Sequence, residues 1–235
     1  MRAVLWDMDG TLVDSEKLWD IAMHALYEHL GGTLTPEVRA ATVGGSAENT
    51  MRIVYADLGR APDTAAMAAT TGWLHDYAAE LFDRGLAWCE GAQRLLEELA
   101  ARQIPMALVT NTRRSLTERA LNTIGRQYFS AVVCGDEVAH GKPAPDPYQR
   151  AAALLREPPQ HCLAIEDSVT GAASARGAGC PVLVVPNDVE VAAGRGRRQI
   201  ASLAETSADG LHHIFTALRT ELDDCTASAQ RGDLV

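Results

Sequence analysis

Five short apolar runs, each cut off by polar or glycine-containing residues, decide most of what this chain can fold into. The first is Ala3-Val4-Leu5-Trp6, ended by Asp7, and the others occupy residues 106–109, 131–134, 162–165 and 181–185. A continuous apolar run of this length suits a strand buried on both faces, as in a parallel sheet, because a half-exposed strand would alternate apolar with polar residues. Between the runs lie stretches with apolar residues at helical spacing: residues 92–102 (Leu95, Leu96, Leu99), 115–124, 148–155 and 169–177. Strand alternating with helix predicts an α/β fold, a doubly wound parallel sheet.

Residues 15–85 break the alternation. Helix follows helix there, over 16–30, 36–42, 47–58 and 65–82, with breaks at Gly31-Gly32, Gly44-Gly45 and residues 59–62, and no strand pattern. The expectation is a helical cap domain (15–85) inserted after the first strand of an α/β core (1–14 and 86–223), pivoting near residues 13–16 and 85–88. The polar residues 224–235 are expected to form a flexible tail.

Charge and cysteine usage narrow the partners. Lys and Arg number 21 against 31 Asp and Glu, a formal charge of −10, which disfavours long-range attraction to nucleic acid or an anionic membrane. No run approaches eighteen apolar residues, and Asp7 and Asp9 fall where a signal peptide would be apolar, so no membrane association is expected. The 5 cysteines are dispersed and form no C-x-x-C pair, which reads as reduced thiols in a cytoplasmic protein. A monomer is the default.

In a parallel α/β sheet, ligands bind beyond the carboxyl ends of the strands. The first run is followed by Asp7-Met8-Asp9-Gly10-Thr11 and the second by Thr110-Asn111-Thr112. The third leads to the loop holding Gly141-Lys142-Pro143, and the fourth to Glu166-Asp167-Ser168. Carboxylates gathered at one sheet edge repel each other unless a cation joins them, and all-oxygen ligands favour a hard ion such as Mg²⁺. No His or Cys cluster follows these runs, which argues against zinc. A carboxylate beside such an ion can attack phosphorus, and Thr110, Asn111 and Lys142 can bond and neutralise phosphoryl oxygens.

These segments resemble a known set of motifs. Asp7-Met8-Asp9-Gly10-Thr11-Leu12-Val13-Asp14-Ser15 looks like the first motif of the haloacid dehalogenase-like superfamily, D-x-D-G-T-L-x-D-[ST]. Val109-Thr110-Asn111 resembles the second and Gly141-Lys142-Pro143-Ala144-Pro145-Asp146 the third. Glu166-Asp167-Ser168 with Gly171 resembles the fourth. The resemblance covers the core from Met1 to Val185. The helical insert is similar to the cap of the subgroup that includes phosphoglycolate phosphatases and β-phosphoglucomutases.

The resemblance implies a Rossmannoid core and a role for each motif residue. Asp7 would be nucleophile and metal ligand. Asp9 would be general acid/base, with its main-chain carbonyl on Mg²⁺. Thr110 and Asn111 would bind the phosphoryl group, Lys142 would bridge it to the nucleophile, and Asp167 would complete the metal site. Glu166 would be a water-mediated ligand or a supporting acid, with capping of the helix near Val169 as the competing reading. The implied activity is Mg²⁺-dependent hydrolysis of a small phosphate monoester through an aspartyl-phosphate.

A β-phosphoglucomutase-like reading is the runner-up. Such mutases usually carry a His shortly after the first motif and a cap Arg after a glycine-rich turn, where this chain has Trp19 and Ala47; a second phosphate would lack its bidentate partner. Dehalogenases and phosphonatases lack an acid like Asp9. A non-catalytic phosphate-ligand receptor is the alternative from another class, and the intact Asp7, Asp9, Lys142 and Asp167 argue against it. Specificity is expected around Gly44-Gly45-Ser46. Asp14 is expected to cap the first helix, Arg113 and Arg114 to be solvated, and Trp19, Trp73 and Trp88 to pack insert and hinge.

Overall fold

A computed structural model describes residues 1–43, 45–186 and 194–232, with side chains described up to residue 222. Gly44, part of the expected specificity turn, lies outside the described residues, as do residues 233–235 of the expected tail.

After β1 (Ala3–Trp6) come four consecutive helices: α1 (Glu16–His29), α2 (Pro36–Thr42), α3 (Ala47–Asp57) and α4 (Thr64–Phe82). The chain then alternates through α5 (Ala92–Ala101), β2 (Met106–Val109), α6 (Arg114–Ile124), β3 (Ala131–Val133), α7 (Asp146–Leu154), β4 (Cys162–Glu166), α8 (Val169–Ala178) and β5 (Val182–Val184). It ends with β6 (Arg197–Gln199) and α9 (Ala208–Gly232). The strands form one parallel sheet in the order β3-β2-β1-β4-β5-β6, as the alternating pattern predicts.

Parallel strands need helical crossovers on both faces, so β1 is enclosed on both. Ala3 and Leu5 point to a layer made with Tyr148, Ala151 and Ala152 of α7 and Ala172 and Ala175 of α8. Val4 and Trp6 point to the other layer, with Leu95, Leu96 and Leu99 of α5 and Leu211 and Leu218 of α9. All these side chains are fully buried, and each leucine contributes about 2 kcal/mol through the water it escapes.

The helix starts follow their local chemistry. Thr35 accepts the Val38 N–H before Pro36, Ser46 accepts from Asn49, Asp63 from Ala66, and Ser168 from Gly171, each satisfying an otherwise orphaned donor. The first helix, like α5, α6 and α7, starts without a side-chain cap. Its N-cap is Ser15, without a side-chain capping bond, and Asp14 does not cap it but pairs with Lys17 instead. The Ser15 hydroxyl is drawn to Asp9, which removes the cap that Asp14 or Ser15 would otherwise supply.

Where the helical insert leaves and rejoins the sheet, its two connections run side by side. The Asp14 N–H bonds the Ala87 carbonyl at 2.9 Å and the Cys89 N–H bonds the Leu12 carbonyl at 3.0 Å, with Val13 and Trp88 bridged antiparallel.

Two further segments differ from the sequence pattern. β6, Arg-Arg-Gln, has no apolar signature, because an edge strand needs only backbone pairing on one side and charged side chains discourage a further strand. The backbone of α9 is helical through residues 224–232, where a flexible tail is the sequence expectation. No Gly or Pro occurs over residues 211–231, and extending an existing helix avoids the cost of nucleation. Among the described residues no helix is long and apolar enough to cross a membrane.

Candidate active site

The strand order reverses at β1, with β2 and β3 on one side and β4 to β6 on the other, and this reversal opens a crevice at the carboxyl ends of the strands. Asp7 leaves β1 and Asp167 leaves β4, its immediate neighbour. Glu166 is the last residue of β4 itself, one position inside the strand rather than the first of the loop.

Asp7, Glu166 and Asp167 are all buried, and one carboxylate oxygen from each lies within 4.8 Å of the others. Lys142 reaches into this group from the loop after β3. Its Nζ donates to Asp7 Oδ1 at 2.5 Å and to Glu166 Oε1 at 2.6 Å. Tyr148 of α7 donates its hydroxyl to the same Glu166 oxygen at 2.5 Å, and Ser168 donates to Glu166 Oε2 at 3.2 Å. Glu166 is therefore consumed by protein donors. It does not cap α8, whose N-cap is Ser168.

One ammonium among three buried carboxylates leaves negative charge uncompensated, and the titration behaviour reflects it. Burial, then the Glu166 charge, push the Asp7 carboxyl up to about 8. Burial, then Asp7 and Glu166, also raise Asp167 well above the usual carboxylate range. Burial pulls Lys142 down, but Asp7 and Glu166 outweigh it and hold the ammonium charged. Asp7 Oδ2 is buried without a hydrogen-bond partner, an atom positioned for a ligand outside the protein's own donors.

Close packing of backbone makes room for Glu166. A Cβ on Gly171 would stand 1.9 Å from Glu166 Oε2. Gly171→Ala is therefore expected to displace Glu166 and with it Lys142, lowering kcat by about tenfold or more and stability by about 1–3 kcal/mol, read by aryl phosphate turnover and urea melts.

Asp9, half-buried, is held by four donors. Ser15 Oγ and Trp19 Nε1 donate to Oδ1 at 2.6 and 3.3 Å; Thr110 Oγ1 and Thr112 Oγ1 donate to Oδ2 at 3.0 and 2.8 Å. Thr110 is thus placed at the site through Asp9. The Asn111 side chain clamps the loop after β3, accepting the Lys142 N–H at 2.7 Å and donating to the Lys142 carbonyl at 3.1 Å. Every motif residue is gathered at one end of the sheet.

Ser15, Trp19, Thr112 and Tyr148 were not among the sequence candidates. Thr112 lies two residues after Thr110, and its N–H donates to the Thr110 hydroxyl at 2.9 Å in a bend that turns both hydroxyls to Asp9. A tyrosine on an otherwise apolar helix face needs a buried partner, which signals Tyr148. Trp19 corrects the packing-only expectation: it stacks edge-on against Phe82, with ring centroids 5.9 Å apart, and also donates to Asp9. Trp19→Phe keeps the packing and removes the donor, and kcat is expected to fall about fivefold with little change in thermal stability. Arg114 is not solvated as expected. Its guanidinium forks onto Glu137 at 2.9 and 2.7 Å.

Above the carboxylates is a cavity of about 660 Å³, walled by core loops on one side and by α1 to α4 on the other. Asp7, Asp9, Thr110, Asn111, Lys142 and Asp167 lie on its core side.

A family model described as haloacid dehalogenase-like hydrolase matches residues 1–179. A probable pseudouridine-5'-phosphatase of Drosophila melanogaster is 32% identical over 78% of this chain and 80% of its own length. Hexitol phosphatase A of Escherichia coli (strain K12) is 32% identical over 78% of this chain and 82% of its own. Among solved structures, CbbY from Rhodobacter sphaeroides in complex with xylulose-(1,5)bisphosphate superposes with a TM-score of 0.76 at 27% identity, covering 90% of this chain and 99% of that one. With four motifs converging on one crevice, this chain belongs to the haloacid dehalogenase-like hydrolase family and is a phosphatase.

Proposed function

We propose that the chain hydrolyses a small phosphate monoester with Mg²⁺, through an aspartyl-phosphate on Asp7. The observation that carries this reading is Asp7 itself: one oxygen is tied to Lys142, the other is buried without a partner, and the carboxylate clusters with that of Asp167. The donor set fits a hard divalent cation, because the cluster is all-oxygen and short of positive charge. Asp7, Asp167 and the Asp9 main-chain carbonyl would hold Mg²⁺, with Glu166 supporting through Lys142. The ion would supply charge that lets Asp7 stay ionised and offsets the phosphoryl oxygens.

The residues then divide the reaction. Asp7 attacks phosphorus, forming an Asp7 O–P bond as the ester P–O bond breaks, and Asp9 gives its proton to the departing oxygen. Water next attacks phosphorus and passes its proton to Asp9, which releases phosphate and restores Asp7. Thr110 and Asn111 contact the phosphoryl oxygens, and Lys142 neutralises charge on them. The insert closes over the crevice about the paired connections near Val13 and Trp88, excluding bulk water.

Phosphate release from an aryl phosphate that requires Mg²⁺ and stops with chelator tests this reading; metal-independent or absent turnover would overturn it. With a hexose 1-phosphate, free phosphate rather than an isomeric hexose phosphate should accumulate, which separates hydrolysis from mutase chemistry.

The raised Asp7 pKa sets a pH dependence. In the unfolded chain this group ionises near ~4, whereas the folded metal-free protein keeps its proton up to about pH 8. Across that window the unfolded state binds fewer protons, so its share grows and the metal-free fold weakens as pH rises. Metal binding replaces the proton. The Tm increment given by Mg²⁺ should therefore grow from about pH 6 to about pH 8, measured by scanning calorimetry with and without the ion.

The named relatives differ in what their phosphate is attached to, from a nucleoside to a hexitol, and CbbY holds a bisphosphate. The leaving group of this chain must therefore be sought in its own cavity wall.

A further inference from the structure

We propose that the Tyr148 hydroxyl is a positioning group for the reaction, a role that rests on the phosphatase reading of the same site. It shares one oxygen of Glu166 with Lys142, and by doing so it keeps Glu166 from drawing the ammonium away from Asp7 and from the phosphoryl oxygens.

Lys142 stands between two carboxylates. Its Nζ lies 2.5 Å from Asp7 Oδ1 and 2.6 Å from Glu166 Oε1, so neither acid holds the charge alone. Asp7 is among the described residues that line the cavity, whereas Glu166 is fully buried and is not among them. In a site this dry, an ammonium moves toward whichever carboxylate offers the more concentrated charge. Capture by Glu166 would leave Asp7 without its counter-charge and carry Nζ away from the place where the phosphoryl oxygens arrive.

The other donors to Glu166 dilute that charge. Tyr148 Oη donates at 2.5 Å to the same Oε1 that Lys142 uses, and Ser168 Oγ donates to Oε2 at 3.2 Å. Two donors on one oxygen divide its lone-pair density, so each bond is weaker than it would be alone. Tyr148 is therefore the donor that sets how strongly Glu166 pulls on Nζ. Its side chain is fully buried, which leaves bulk water no route to take its place. Burial, then the Glu166 charge, keep the proton on the phenol, so it stays a donor.

One firmly held segment carries both donors. Asn111 clamps the main chain of Lys142 from both ends of its amide, Ser174 of α8 donates to the Ala144 carbonyl, and α7 begins at Asp146. The Tyr148 ring packs in the apolar layer that holds Leu5 and Ala172, with its centre 5.3 Å from Nζ. The ring face attracts the ammonium whether or not it bears a hydroxyl, so the hydroxyl's effect is separable from the ring's. Tyr148 is not among the described residues lining the cavity, and it acts through Glu166 and Lys142 rather than on the substrate.

Tyr148→Phe keeps the ring and removes the hydroxyl. In Mg²⁺-loaded protein, counted per folded enzyme, kcat for an aryl phosphate should fall about tenfold while KM moves less than about twofold. An unchanged kcat with only a lowered melting temperature would make the hydroxyl a structural bond and overturn the proposal, as would an effect confined to KM. In a Glu166→Gln background the same change should cost kcat less than about twofold, because a neutral amide does not pull on the ammonium. Tenfold losses in both backgrounds would overturn it too. A crystal structure of Tyr148→Phe reads the cause whatever the turnover: Nζ should have left Asp7 Oδ1 for Glu166, and an unmoved ammonium counts against the proposal. If the wild type hydrolyses no ester, the phosphatase reading fails on its own, and that structure still decides whether Tyr148 positions the lysine. Should Tyr148→Phe not fold, 3-fluorotyrosine in place of Tyr148, a stronger donor of nearly the same shape, decides instead. A kcat at or above that of the wild type supports the proposal, and a lower one overturns it.

Discussion

Asp7→Asn is expected to lower kcat for a phosphomonoester by about four orders of magnitude or more while leaving the fold at least as stable as before. The amide has nearly the shape of the carboxylate but cannot form the acyl phosphate. It also cannot ionise, and ionisation of Asp7 is what burial, Glu166 and Asp9 disfavour, so in the absence of metal the Tm should hold near neutral pH and exceed that of the wild type above about pH 8. The two readouts together separate a nucleophile from a strand-end carboxylate with a structural duty: a structural Asp7 would lose stability and keep part of its turnover. Phosphate release and a thermal melt on one preparation check both.

Lys142→Met has the opposite signature. The ammonium is buried, bonded to both Asp7 and Glu166, and lies 5.3 Å from the centre of the Tyr148 ring. Methionine fills much of the same volume but leaves the carboxylates without a counter-charge, a change expected to cost about 3–5 kcal/mol in metal-free protein. Turnover should fall by about a thousandfold, because charge that develops on the phosphoryl group loses a preorganised partner. Mg²⁺ should return part of the stability and little of the rate. A urea melt of Lys142→Met that overlays the wild type would show that the lysine is not the counter-ion its position makes it.

Much of this architecture is legible in the chain because the physics is local. A run such as Ala3-Val4-Leu5-Trp6 has one polar atom outside its backbone, the Trp6 indole N–H, which is turned onto Met106 Sδ, so the run must be covered on both sides. Asp7 directly after it announces a strand end. What local pattern does not carry is pairing across distance. Glu166 reads equally as loop, helix cap or site acid until Lys142, 24 residues away in sequence, and Tyr148 on the intervening helix are seen to meet it. Trp19 reads as packing until its N–H is found on Asp9. Arg197–Gln199 reads as loop because an edge strand is held by backbone alone, and residues 224–232 read as tail because composition is silent about a helix already under way.

The two sides of the cavity have different parentage. Asp7, Asp9, Thr110 and Asp167 follow directly on the ends of parallel strands and Lys142 comes from the loop after β3, whereas the opposite wall belongs to an insert whose two connections to the sheet run side by side. Substitutions in that wall can retune which alcohol departs without disturbing the groups that break the ester, so new substrates are reachable in small mutational steps. Ser15 and Trp19 are the exceptions, since both donate to Asp9 from the first turns of the insert. Diversification of this scaffold, natural or by directed evolution, is therefore free across most of α2 to α4 and constrained at the opening of α1.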